Sequence, residues 1–499
     1  LCISEPSVLL LLGACSYALR DLHQCVECNK RALALNPEFA EAYSNLANAL
    51  RELGQADVAI EIYKRAIALN PRLVEAMSNL ASAYVGLGKQ TEAIDAYRRV
   101  LAVNPNLWEA HCNLGQLLRA SGDREGARHS LTAAIRLQPT YARAWTTLAA
   151  VLRGLSDMPA AVVCLREVVR LTPSSADAHL QLGVALQEGG WHEEAMGCLS
   201  TAVSADPSNA QALCALANLH ADWRQHAPAA QAYRRALELD PNLDEAWHRL
   251  GLTLRDLGDT DGAIGAFRSA LRLRPNHQHA CNHLGNALRE RGAGIEALLC
   301  FEQAIQMHPS LATAHSNLAS LVKEQQPHLL HIAVRHYFEA IRLDPYFADA
   351  YSNLGSAYRE AGLFDEAIRM YLAAVSLKPD MADTHAHLAS TFKDTGRIVE
   401  AVTHYRKSLH LKPGSPDALC NLVHTYIFTA DWREYELNMK LLEQCLDTQL
   451  AQGALPAVQP FHAFVYPIHL GKVKQLACAY AKRAEQVAQA LITHKKPTD

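Results

Sequence analysis

An all-α fold, a right-handed superhelical solenoid of helix–turn–helix repeats with a helical linker segment at its C-terminal end, is what the 499-residue sequence predicts. Three observations carry that prediction. Twelve prolines (Pro37, Pro71, Pro105, Pro139, Pro173, Pro207, Pro241, Pro275, Pro309, Pro345, Pro379 and Pro413) stand 34 residues apart, with one gap of 36 between Pro309 and Pro345. Nine residues beyond each proline there is a leucine, from Leu46 and Leu80 through to Leu388 and Leu422. In the second half of each unit alanine recurs in phase, as Ala59, Ala93, Ala127, Ala367 and Ala401, with an aromatic residue or leucine four positions later.

A period of 34 belongs to tetratricopeptide repeats, in which each unit is a pair of helices that buries its apolar face only by stacking on neighbours. In the first helix the position after the leucine is small in eleven of twelve units (Ala47, Gly115, Gly183 and Gly355 among them, with Val423 the exception), so a large knob sits beside a gap. In the second helix the four-residue spacing of alanine and Tyr63, Tyr97, Leu131, Phe267, Phe301, Tyr337, Tyr371 or Tyr405 puts both on one face. Each register proline then ends the second helix, because it lacks the ladder N–H and displaces its predecessor from α geometry. Four residues further on an acid recurs in eight units, including Glu41, Glu75, Asp349 and Asp417, where it complements the next helix's N-terminal dipole.

Two irregularities bound the array. The two extra residues fall within 325–331, around Pro327, in the turn between the helices of one unit, where an insertion costs little. After Leu422 the alanine phase fails, since Tyr435 stands where alanine is due. The sequence therefore divides into residues 1–430, about 12 repeats with the first one partial, and residues 431–499. The second part reads as a helix to about Gln452, a loop with Leu455-Pro456 and Tyr466-Pro467, and an amphipathic helix from about Lys472 to Thr493. The chain opens at Leu1, so an upstream segment is expected to be missing.

A net charge of −4 and a pI near 6.7 argue against nucleic acid as partner. The run around Val8–Leu12 is too short to span a bilayer and lacks a signal peptide's basic flank, so no membrane is expected either. Thirteen dispersed cysteines point to a reducing compartment, and the lone Cys25-Val-Glu-Cys28 reads as ordinary helix, not a metal site. The histidines, His277, His279 and His283 among them, follow no ligand pattern and read as exposed helix residues; no metal is expected. There is no phosphate loop, nucleophile elbow or alternation of strands, so neither catalysis nor a cofactor is expected of the chain itself.

Eight residues past the proline stand Asn45, Asn79, Asn113, Asn317, Asn353 and Asn421. The remaining units have Thr147, Gln181, Ala215, Arg249, His283 and His387 there. One step from the core leucine is about 100° around the helix, so the position flanks the seam and lines the inner wall. Asparagine is a mediocre helix former, and its amide offers both donor and acceptor, the complement of an extended peptide backbone. Two readings follow: the asparagines bind peptide with little regard to its sequence, or they tie neighbouring turns together. Because the line breaks from Thr147 to His283, gripping would be strongest towards each end.

Repeats such as Asn36-Pro-Glu-Phe-Ala-Glu-Ala-Tyr-Ser-Asn-Leu-Ala and Asp344-Pro-Tyr-Phe-Ala-Asp-Ala-Tyr-Ser-Asn-Leu-Gly, with the exit stretches Ala430–Leu450 and Leu455–Gly471, resemble the protein O-GlcNAc transferases of the nucleus and cytoplasm. The resemblance implies an acceptor-recognition arm whose groove asparagines hold extended or disordered Ser/Thr-containing proteins. A glycosyltransferase region beyond residue 499 would move N-acetylglucosamine from UDP-GlcNAc to their hydroxyls. It implies a cytoplasmic and nuclear location, and it leaves room for a homodimer through the repeats. His462 matches the second member of a His-His pair near the sugar-nucleotide site in animal members, but Phe461 stands at the first, so no catalytic residue is assigned with it. Taken alone, the chain is expected to bind acceptors without glycosylating them. Two alternatives remain: the arm of a plant-type protein O-fucosyltransferase, or a repeat-only scaffold or co-chaperone. A co-chaperone clamp needs several basic residues on the asparagine line, and Arg249 is its one arginine or lysine.

Overall fold

The computed structural model describes residues 5–430, 432, 434–460, 463, 466 and 468–494. Among the described residues every regular element is helical, and no helix is long and apolar enough to cross a membrane. The chain divides into two compact units, Leu1–Thr253 and Leu254–Asp499.

Both units are built from the same hairpin of helices. The first helices run for 13 or 14 residues, as in Ala40–Glu52, Trp108–Ser121 and Ala348–Glu360, and each second helix of the repeats runs for 14, as in Ala56–Leu69 and Phe364–Leu377. The register proline follows the second helix by two residues: Leu69 ends one helix, Asn70 caps it and Pro71 blocks its continuation. The proline has a second role. Its carbonyl accepts from a ring nitrogen six residues on, Trp145 and Trp247 to Pro139 and Pro241, and His111, His179, His315 and His385 to Pro105, Pro173, Pro309 and Pro379, at 2.8–3.2 Å.

The core is the seam the register marks. Eleven of the twelve register leucines are buried, with Leu216 half-buried, and the in-phase alanines such as Ala59, Ala195 and Ala367 are fully enclosed. The gap after the leucine receives the large residue of the second helix in the same repeat. A Cβ added at Gly285 would lie 2.6 Å from the Phe301 ring, and one at Gly355 would lie 2.9 Å from Tyr371. The tyrosine hydroxyls are satisfied across the hairpin: Tyr97, Tyr337 and Tyr405 pair with Ser82, Ser320 and Ser390, and Tyr63 and Tyr233 donate to Asn48 and Asn218. Burial pushes Tyr63, Tyr337, Tyr371 and Tyr405 up to about 12.

The turn inside each hairpin places its central residue in the left-handed region. Glycine occupies it in eight units, from Gly54 to Gly396, while Ser156 (φ 63°) and Arg224 (φ 56°) occupy it in two others. A side chain there costs about 1–2 kcal/mol, partly offset by glycine's greater freedom in the unfolded chain. Ser156→Gly is therefore expected to stabilise the first unit by about 0.5–1 kcal/mol, read as a higher urea midpoint; a lower midpoint would show that the serine carries no strain. The inserted unit solves the same turn differently. Its first helix extends to Gln325, a 3₁₀ turn Pro327–Leu329 follows, and the second helix Leu330–Leu343 keeps its usual length.

After Phe428 the alternation ends. Two longer helices, Tyr435–Ala451 and Leu470–His494, replace it. They pack a separate apolar cluster, with Met439, Leu442, Leu446, Val458, Tyr466, Val473 and Leu476 closing over Leu419 and Val423 of the last repeat.

Candidate protein-binding groove

The six register asparagines lie on first helices, one step from the core leucine. Asn45, Asn79, Asn317, Asn353 and Asn421 are half-buried, and Asn113 is exposed. Their amide donors are partly spent within the array: Asn79 Nδ2 donates to Asn48 Oδ1 at 2.9 Å, Asn113 to the Tyr97 hydroxyl at 3.1 Å, and Asn317 to Asn282 Oδ1 at 3.0 Å. The Asn421 carbonyl accepts from Lys393 Nζ at 3.4 Å. Asn45 and Asn353 make no side-chain hydrogen bond within the described residues. An amide that has given a proton through nitrogen keeps its oxygen's acceptor capacity, so tying the repeats together and facing a ligand are compatible at Asn79, Asn113 and Asn317.

Two concave pockets hold these groups. In the first unit Asn79 and Asn113 border a cavity of about 360 Å³ with Ser78, Ser82, Glu75 and Glu109. In the second unit Asn317 and Asn353 border one of about 710 Å³ with Ser316, Ser352, Thr384 and His387. Asp349, Asp380, Asp383 and Lys378 complete its rim. The acids four residues past the proline thus sit at helix N-termini and also border the pockets, a double placement that helix propensity alone does not reveal. Ser352 and Thr384 bond each other at 2.9 Å across adjacent repeats. His387 stacks on Tyr371, with ring centroids 6.2 Å apart, and burial lowers its pKa.

Of the three histidines read as exposed, His279 is exposed, His283 is half-buried and His277 is buried. His277, His315 and His385 are buried, and the His277 Nδ1 accepts from the Ala280 amide as a helix cap. In two repeats a ring pair forms between the helices: His315 with His336 and His385 with His404, at 3.1 and 3.0 Å between Nδ1 atoms. A carbonyl only accepts, so the proline carbonyls place the proton of His315 and His385 on Nε2. Nδ1 is left to accept from the partner ring. Burial accordingly lowers His336, and takes His404 down to about 4 with His385 and Lys407 adding to the effect. Sequence reasoning missed these pairs and the Ser/Asn position eleven residues past the proline. The second was findable, since serine or asparagine recurs there in register. Cys25 and Cys28 lie buried on the helix Leu22–Leu35, their sulfurs accepting from Asn29 and Gln24 of the same helix. His462 and Phe461 lie outside the described residues.

Comparison with known proteins bears on both parts of the chain. Models described as tetratricopeptide repeat match residues 38–106, 78–139, 112–176, 176–209, 210–243, 244–277, 278–308 and 348–381. The model described as glycosyl transferase family 41 matches residues 429–499. A curated protein of Arabidopsis thaliana named "Probable UDP-N-acetylglucosamine--peptide N-acetylglucosaminyltransferase SEC" is 48% identical over 52 residues, which is 10% of this chain and 5% of that protein. Among solved structures, the APC/C hetero-tetramer Cut9–Hcn1 aligns at TM-score 0.45 with 16% identity, over 84% of this chain and 96% of that one. Yeast Tom70 aligns at 0.43 with 17% identity, over 88% and 99%. The chain is thus a tetratricopeptide-repeat array running into a glycosyl transferase family 41 segment, the arrangement of the repeat region of a protein O-GlcNAc transferase.

Proposed function

We propose that this chain is the acceptor-recognition arm of a protein O-GlcNAc transferase, the enzyme that transfers N-acetylglucosamine from UDP-GlcNAc to Ser or Thr of nuclear and cytosolic proteins. The observation that carries the reading is the pocket around Asn317 and Asn353, in a chain whose residues 429–499 match glycosyl transferase family 41. Its lining is rich in short groups that both donate and accept, namely Asn, Ser and Thr, and poor in apolar surface. Such a wall suits the repeating N–H and C=O of an extended chain better than it suits a particular side chain. Partners would accordingly be unstructured Ser/Thr-containing segments, recognised largely through their backbone, with the chemistry supplied by the catalytic region. The curated match favours this over a fucosyltransferase arm, and the family 41 segment favours it over a repeat-only scaffold.

The test is fluorescence anisotropy with this chain and labelled unstructured Ser/Thr-rich peptides. Binding is expected, and scrambling the peptide is expected to change the affinity by less than about threefold, because each backbone contact survives it. Replacing alternate residues by proline removes peptide N–H donors and is expected to weaken binding tenfold or more, about 1.4 kcal/mol. No binding, or equal binding of the proline-substituted peptide, would sink the reading.

A further inference from the structure

The positions six and twenty-five residues past the register proline face each other across the hairpin, as His315 with His336 and His385 with His404 show once the insertion in the former repeat is discounted. In the Pro275 repeat the same two positions are Cys281, on the helix Gln278–Glu290, and Cys300, on Gly294–Met307. Cys281 is fully buried and Cys300 half-buried. The Cys281 thiol donates to the Cys300 carbonyl at 3.2 Å and reaches Gln303 Oε1 at 3.8 Å, and both cysteines pack in one apolar cluster with Ala304 and Leu311. Packing has thus placed two cysteines from different helices at the positions that the histidine pairs occupy elsewhere.

We infer that Cys281 and Cys300 form a reversible dithiol–disulfide pair, oxidised by a hydroperoxide and built into the interior of one repeat.

The roles differ. Cys300 is the more accessible, and the neighbouring Cys281 side chain lowers its pKa against the opposing effect of burial. Arg268, ion-paired with Glu296 at 2.8 Å, adds positive charge nearby. The Cys281 thiol, fully buried beside Cys300 and donating to its carbonyl, is held protonated. Nucleophilic attack therefore belongs to Cys300 and resolution to Cys281. The Cys300 thiolate attacks one oxygen of hydrogen peroxide; an S–O bond forms, the O–O bond breaks, and hydroxide leaves to take up a proton as water. The Cys281 sulfur then attacks the sulfenic sulfur; an S–S bond forms, the S–O bond breaks, and a second water leaves with the Cys281 proton. Two thiols and one peroxide give one disulfide and two waters.

The experiment uses the full chain, treated with hydrogen peroxide, blocked with N-ethylmaleimide and digested with trypsin without reductant. Arg289 and Arg291 lie between the two cysteines, so cleavage separates them unless they are joined. Mass spectrometry is expected to find a Cys281–Cys300 cross-linked peptide that dithiothreitol removes, with two fewer alkylated cysteines per chain than in the reduced protein. In a folded Cys281→Ser variant, Cys300 is expected to accumulate as the dimedone-trapped sulfenic acid. Full alkylation of Cys300 after peroxide treatment, or its cross-linking to any other cysteine, overturns the inference, and the wild-type arm decides this whether or not the variant folds.

Discussion

Tyr371→Ala should cost the second unit about 3–5 kcal/mol, the range for deleting a buried aromatic ring that its surroundings cannot refill. The ring is 1% exposed, and it fills the gap that Gly355 leaves open, in a cluster with Ile368, Leu388 and Phe392. Ile368 lies on the same helix as Tyr371, and Leu388 and Phe392 lie on the first helix of the next repeat, where they are already buried, so collapse into the hole is limited. Tyr371→Phe keeps the ring and removes only the hydroxyl, for an expected cost of about 1 kcal/mol or less. The comparison of the two by urea unfolding separates the packing of the ring from the contribution of its hydroxyl. Because stacked repeats gain stability from their neighbours, the alanine variant should also show faster amide exchange in the flanking repeats. An alanine cost near that of phenylalanine would show that the ring is not what holds the hairpin closed.

The second large effect is on binding. Replacing Asn317, Asn353 and Asn421 together by alanine should weaken the affinity for unstructured peptides by about tenfold to a thousandfold, taking about 0.5–1.5 kcal/mol for each hydrogen bond lost. The complication is Asn317, whose amide already donates to Asn282. Asn282→Ala removes that tie while leaving the groove amide in place, and so serves as the control. If the triple variant fails and Asn282→Ala binds as wild type, the asparagines act on the ligand. If both lose affinity equally, the line is a structural ladder.

Much of the hairpin was legible in the sequence because its determinants are local or periodic. Proline ends a helix wherever it stands, and a leucine, alanine and aromatic in fixed phase can bury themselves in one way only. The partners of the buried hydroxyls were not legible in the same way. Ser82, Ser320 and Ser390 look like solvated helix residues until the second helix brings Tyr97, Tyr337 and Tyr405 over them. The histidines fail for the same reason: in sequence they follow no pattern that marks burial, whereas His315 and His385 are held by a proline carbonyl and a ring on the opposite helix. For the groove, the sequence placed the asparagines beside the seam, but could not show that Asn79, Asn113 and Asn317 divide their amides between the array and the open pocket.

The tyrosines of the second helices carry one more consequence. With hydroxyls enclosed and committed to Ser or Asn partners, Tyr63, Tyr337 and Tyr405 offer neither an exposed acceptor nor an accessible phenolate to a kinase or a nitrating agent. Tyr346, 82% exposed, offers both. Phosphate or nitro groups mapped to the enclosed set would therefore record repeats that had opened, making these residues built-in reporters of local unfolding in the cell.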